Sequence, residues 1–151
     1  MGKGVETSGG SAANTMAGFA SFGGAGGFIG KVAQDELGTI FKNDLRNLGL
    51  RFETQPLAVG AKTGRCLILV TPDAQRTMNT FLGASVELGP DDIDINQIAS
   101  AQITYLEGYL FDRDEAKAAF IKAAEAAHAA GHRVSLTLSD PFCVGRHRED
   151  F

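Results

Sequence analysis

The sequence predicts an α/β fold with a mostly parallel sheet. Segments of strand character alternate along the chain with segments of helical period. The apolar run Cys66-Leu67-Ile68-Leu69-Val70, the turn signal Pro72-Asp73-Ala74 and a second extended stretch add an antiparallel β-hairpin, expected over about 63–82. A chain of 151 residues, 44% hydrophobic and 21% charged, suits one globular domain.

The elements follow in order. Residues 1–8 carry no period and too much glycine to nucleate structure, so a flexible segment is expected there. Small and apolar residues from Ala12 to Phe22 allow a helix in which Met16, Phe19, Ala20 and Phe22 share a face, with Asn14 in its first turn. Gly26 to Gly30 reads as a short buried strand around Phe28 and Ile29. Gln34 to Leu48 has a helical period through Leu37, Ile40, Phe41, Leu45 and Leu48, stopped by Gly49. After the hairpin, Asp91-Asp92-Ile93-Asp94 begins a short helical region ending near Ala99. Ile103 to Leu106 looks like a buried strand. Arg113 to Ala130 is the clearest helix, rich in Ala, Lys and Glu, with Gly131 as its stop. Val134 to Leu138 is a further strand, and Pro141 opens a last helix at its first position.

Composition narrows the function. A formal charge of -4 argues against a nucleic-acid partner. The one basic concentration, Arg146-His147-Arg148, is followed at once by Glu149 and Asp150. No run approaches the roughly 18 apolar residues of a membrane span, and no secretory leader is visible, so the cytoplasm is the expected compartment. Cys66 and Cys143 are far apart and form no CxxC pair, which fits reduced thiols.

Several familiar site motifs come close without closing. A P-loop would need glycine at Ala25 and Ser or Thr at Val32; a dinucleotide fingerprint starting at Gly24 would need glycine at Ile29. The glycines of 23–30 therefore read best as a tight turn into a strand. His128 and His132 have zinc-ligand spacing, but Gly131 ends the helix between them, and a solvated helix end explains them better. Asp91, Asp92 and Asp94 stand where acidic residues favour a helix N-terminus, and that reading is preferred to a cation site. No metal site is expected. Gly9-Gly10-Ser11-Ala12-Ala13-Asn14 differs: two glycines run into a helix start carrying an amide. Free N–H groups and the Asn14 side chain suit sugar hydroxyls, with a plain helix cap as the other reading.

Taken in order, these pieces resemble the ribokinase (PfkB) family of sugar and nucleoside kinases. The likeness runs from Gly-Gly-Ser-x-x-Asn through Phe28-Ile29-Gly30-Lys31-Val32, Asp35-x-x-Gly38, the hairpin from Thr63 to Val70, Arg76-Thr77-Met78-Asn79-Thr80 and Leu82-Gly83-Ala84. Tyr105-Leu106-Glu107-Gly108-Tyr109 and Leu138-Ser139-Asp140-Pro141-Phe142 look more like the adenosine-kinase-like branch. Met16, where a small residue is more usual, and Ala33, where glycine is common, depart from the pattern.

The resemblance implies a Rossmann-like ribokinase fold, three layers α/β/α, with a β-hairpin lid over the substrate. It implies a partial domain over residues 9–151. The implied reaction moves the ATP γ-phosphoryl group to a primary hydroxyl of a sugar or nucleoside, with Mg as the metal of the complete enzyme. Gly9, Gly10, Ser11 and Asn14 would hold sugar hydroxyls. Arg76 would face the site from the lid, or else be an exposed strand charge. Phe142 would stack on a nucleoside base, or else pack in the core. The family's catalytic aspartate belongs to a Gly-Ala-Gly-Asp motif; here Gly24-Ala25-Gly26 is followed by Gly27, and the Asn-x-x-Glu motif finds no match. The chain is thus expected to be an internal fragment with the acceptor side and little of the ATP side, and to lack the family's first strand. A binding module without turnover and a dinucleotide-binding domain are the competing readings. The resemblance leaves monomer and homodimer both open.

Overall fold

A computed structural model describes residues 4–151. Helix α1 (Ser11–Ser21) starts at Gly10, whose φ of 101° lies in the left-handed region that glycine enters without a steric cost. Helix α2 (Glu36–Asn47) is capped by Asp35, whose side chain accepts from the Gly38 N–H, and stops at Gly49. Strands β1 (Arg65–Val70) and β2 (Arg76–Phe81) form the expected antiparallel hairpin, with Arg65 opposite Phe81 and Val70 opposite Arg76. Then come α3 (Ile95–Ala99), β3 (Ile103–Glu107), α4 (Asp114–Ala129), β4 (Arg133–Thr137) and α5 (Pro141–Arg146). β3 and β4 pair in parallel, Ile103 with Arg133 through Glu107 with Thr137. Short 3-10 turns at Gly83–Glu87, Pro90–Asp92 and Gly108–Asp112 fill the connections.

Two expectations need correction. Gly26 to Gly30 is not a regular strand. The segment runs parallel to residues 50–58 and touches it at two isolated bridges, Gly27 with Arg51 and Ala33 with Leu57. The glycine-rich backbone has few side chains to pack, so the ladder does not propagate. The side-chain alternation survives nonetheless: Phe28 packs against the cluster around α1 and α2, and Ile29 against the cluster around α3 and α4. The acidic region 91–99 is two pieces rather than one helix. Asp94 bonds the Asn96 and Gln97 N–H groups and restarts the helix, after Ile93 has turned into the core.

The alternation of Phe28 and Ile29 defines three layers. On one side Ala13, Val32, Leu45, Leu50 and Phe52 are buried together. On the other, Ala119, Ala123 and Ala127 give α4 a flat stripe on which Ile93, Ile98, Leu106 and Val134 pack closely. A third cluster, Phe111, Phe120 and Cys143, fixes the chain end, where Phe151 stacks on Phe111 at 4.2 Å. The hairpin stands apart: Leu67, Ile68, Leu69, Val70 and Met78 are all exposed. Among the described residues no helix is long and apolar enough to cross a membrane.

Candidate functional site

In an open α/β sheet, ligands gather at the carboxyl ends of the parallel strands. Here that end is built from Glu107, the last residue of β3, with Gly108, and from Thr137, the last of β4, with the residues up to Asp140. Tyr105 and Glu107 lie two apart on β3 and so share a face. The Tyr105 hydroxyl donates to Glu107 Oε2 at 3.1 Å. The Ser139 hydroxyl donates to Glu107 Oε1, and the Ser139 N–H reaches Thr137 Oγ1 at 3.3 Å. Ser139 holds φ at 59°, a conformation that costs a non-glycine residue about 1–2 kcal/mol. Gly108 is compelled: a Cβ there would lie 2.4 Å from the Thr137 carbonyl oxygen. Each Glu107 oxygen thus has one donor and keeps further acceptor capacity.

Helix α1 lies against β3. Partial burial pushes the Tyr105 pKa above the ordinary tyrosine value, and the negative charge of Glu107 pushes it the same way.

The sequence-predicted residues lie at separate places on the fold. Gly9 and Asn14 line an open recess of about 380 Å³ between α1 and α2, together with Asp44 and Asn47. Ser8 closes one side by donating to Asp44 at 2.5 Å. Gly10 and Ser11 are exposed at the helix start, and added Cβ atoms at Gly9 or Gly10 would meet nothing within 4 Å. Ser139 and Asp140 line a second open recess, of about 630 Å³. Phe142 is 75% exposed beside it, so ordinary core packing does not account for it. Arg76 is exposed at the hairpin tip, opposite Val70. Among the described residues, no hydrogen bond or ion pair joins that tip to the strand-end cluster. Glu107 and Ser139 lie within the motifs that carry the family resemblance, yet nothing local in the sequence marks them as site residues. Their signal is positional: a carboxylate and a hydroxyl, each closing a parallel strand.

A second polar cluster sits at the chain end. Asp112, Cys143 and His147 place ligand atoms within 4.8 Å of one another. Arg146 already engages both Asp112 oxygens, at 2.9 and 2.6 Å, and His147 Nε2 lies 2.9 Å from one of them. Lys117 Nζ is 3.1 Å from the other His147 ring nitrogen and 2.6 Å from Asp150. Burial, helped by the Asp112 charge, pushes the Cys143 thiol up, away from the thiolate a metal needs. Two cations beside an acceptor that is already filled make this a clamp for the last helix.

The bond from Arg146 outweighs the opposing effect of burial and, with a further bond from His147, holds Asp112 down to about 2. Its folded value lies below the ordinary one of about 4. The clamp's contribution is therefore complete above about pH 4 and is lost as pH falls through about 2. NMR of the Phe111 and Phe151 ring protons should show their stacking loosen with that lower midpoint. A midpoint at the ordinary carboxylate value would remove Asp112 from the clamp.

Comparison with known proteins agrees with this architecture. The model of the pfkB family of carbohydrate kinases matches residues 1–147. The chain belongs to that family. A solved adenosine kinase from Sinorhizobium meliloti is 52% identical with a TM-score of 0.92, covering 100% of this chain and 46% of its own. The 5-dehydro-2-deoxygluconokinase of Shouchella clausii is 31% identical over 135 residues, 86% of this chain and 41% of the relative. A fructokinase of Solanum tuberosum is 26% identical over 133 residues, 87% of this chain and 42% of the relative. The chain thus spans less than half the length of each. The fold is that of this pfkB group in part.

Asp92 and Asp94 do not fit the magnesium ion that such kinases imply. Magnesium needs near-octahedral oxygen ligands. Asp92 is taken by the Gly89 N–H and by Lys31, and Asp94 by two helix N–H groups and Arg51. The ion pair also explains Lys31, which follows Gly30 as a P-loop lysine would but is held by Asp92 in a partly buried site.

Proposed function

We propose that this chain is the acceptor-binding part of an ATP-dependent kinase that phosphorylates a primary hydroxyl of a sugar or nucleoside. One observation carries the reading: in a pfkB-family chain, the Glu107 carboxylate is fixed at the carboxyl ends of the parallel strands, on the side where α1 packs. A carboxylate held by two donors and still able to accept is suited to hydroxyls. Asn14, Gly9, Gly10 and Ser11 would add an amide and free helix N–H groups from α1. Phe142, exposed at the start of α5, offers a face for a base, which favours a nucleoside over a free sugar. Arg76 would approach from the lid only when the hairpin folds over the strand ends.

Phosphoryl transfer is mainly positioning and electrostatic stabilisation of the moving group. The residues in hand orient an acceptor; ATP, with its magnesium, supplies the phosphoryl group. No residue here takes the role of the family's catalytic aspartate, so the 151-residue polypeptide by itself is expected to bind without turnover. Calorimetry with adenosine, ribose and fructose tests the first part, and absence of heat with all of them would refute it. Phosphate transfer from ATP by this polypeptide alone would refute the second.

Asn14→Ala should weaken acceptor binding by about 1–3 kcal/mol, because a hydroxyl taken from water loses its partner. An unchanged affinity would leave Asn14 a role in the helix start alone.

A further inference from the structure

We infer that Tyr105 is a positioning residue, which fixes the Glu107 carboxylate for the acceptor. The inference rests on the acceptor reading above for its functional consequence, but its structural content stands separately.

The geometry is that of a hub. Tyr105 and Glu107 occupy one face of β3, and the strand register sets Thr137 of β4 beside Glu107 on the same face. The Tyr105 hydroxyl donates to Glu107 Oε2, while Ser139 holds Oε1 from the other strand. A glutamate side chain has three rotatable bonds and loses much entropy on being held in one orientation. Donors on both oxygens carry that cost before a ligand arrives, which is how preorganisation raises affinity.

Phenylalanine at 105 would keep the ring and remove the donor. Glu107 would then be held by Ser139 alone and could swing on Oε1. Glu107 is the charged group that the phenol engages, and its strand neighbour Thr137 is uncharged.

The chain contains two tyrosines and no tryptophan, so Tyr109→Phe leaves Tyr105 as its lone phenol. In that background, alkaline absorbance titration should show Tyr105 ionising above the ordinary tyrosine range. Adding Glu107→Gln, which keeps the side-chain shape, should bring the midpoint down. A midpoint that does not move would overturn the coupling, whatever binds. Calorimetry with adenosine and with fructose then reads the consequence. Tyr105→Phe should weaken the acceptor that binds the parent chain by about tenfold, the scale of one lost hydrogen bond. Tyr109→Phe should not. Equal affinity in Tyr105→Phe and parent would overturn the positioning role. If the parent chain binds neither compound, the acceptor reading falls, and the tyrosine titration still decides whether Tyr105 holds Glu107.

Discussion

Replacing Phe52 by alanine is expected to lower the stability of the fold by about 3–5 kcal/mol, the usual cost of emptying a large aromatic site in a core. Phe52 has 0% exposure and is the centre of a ring cluster. Its ring meets Phe28 at 5.4 Å and Phe41 at 5.8 Å, both edge to face, and these two meet each other at 5.7 Å. Such pairs add to simple burial. The site has little means of collapse. Arg51, next in sequence, is fixed to the 26–28 segment by bonds of 2.7 and 3.1 Å, so the backbone cannot move inward to fill the space. A domain of this size has about 5–15 kcal/mol in all, and a loss on that scale would leave it marginal. Urea unfolding of both proteins measures it, with Phe142→Ala as the control. Phe142 is 75% exposed, and its loss should change stability by less than about 0.5 kcal/mol. A Phe52→Ala loss under about 1 kcal/mol would show that the ring cluster does not anchor this layer.

Phe52 also marks where sequence reading stops. Residues 50–58 have no strand or helix period that a window could detect, and the segment was not assigned. What orders it is the neighbouring glycine-rich segment, through two bridges and a phenylalanine on each side. Elements with their own period or apolar run are legible: α2 with Gly49 after it, α4 with Gly131, the β1–β2 hairpin with its turn, and the β3 and β4 runs. Which distant segments meet is not. The same division runs through the site. Gly9 and Asn14 are proposed from a local motif and Phe142 from the family resemblance. The bond between Ser139 and Glu107 could not, because it spans 32 positions and requires the β3–β4 register to be known. The Asp112 clamp behaves likewise: Cys143 and His147 are four apart on one segment and visible together, whereas Asp112 and Lys117 come from elsewhere. Arg76 shows the converse. Its motif was legible, but the hairpin carries it to an exposed tip, and no local pattern reports how far a lid stands from its site.

Where that lid is rooted, Asp35→Ala should cost about 2–4 kcal/mol and loosen the hairpin more than the body. Asp35 Oδ1 accepts from Gly38 N–H at 2.9 Å and from Thr63 Oγ1 at 2.6 Å; Oδ2 accepts from Thr63 N–H at 3.0 Å. Thr63 Oγ1 in turn accepts from the Ala33 N–H at 2.9 Å. One carboxylate therefore caps α2 and holds the residue from which β1 departs. Loss of the cap accounts for about 0.5–2 kcal/mol. Leaving Thr63, which is buried, without its acceptor adds about 1–3 kcal/mol. The root has no slack to absorb the change. A Cβ on Gly38 would lie 2.2 Å from the Ala33 carbonyl oxygen, and one on Gly83, at the other foot of the hairpin, 2.2 Å from that of Lys62. Asp35→Asn should cost nearly as much, since an amide NH₂ on either side would face a donor. Burial works to raise the Asp35 pKa, but the bonds from Thr63 and Gly38 together outweigh it and hold the carboxyl below its ordinary value. The stabilisation is thus complete above about pH 4 and declines as pH falls through the lowered value. Stability of Asp35→Ala should accordingly fall less steeply in acid than that of the parent. Amide hydrogen exchange separates lid from body: protection at 65–70 and 76–81 should drop further than protection in α4. A uniform loss across both would mean that Asp35 supports the fold as a whole and does not root the hairpin.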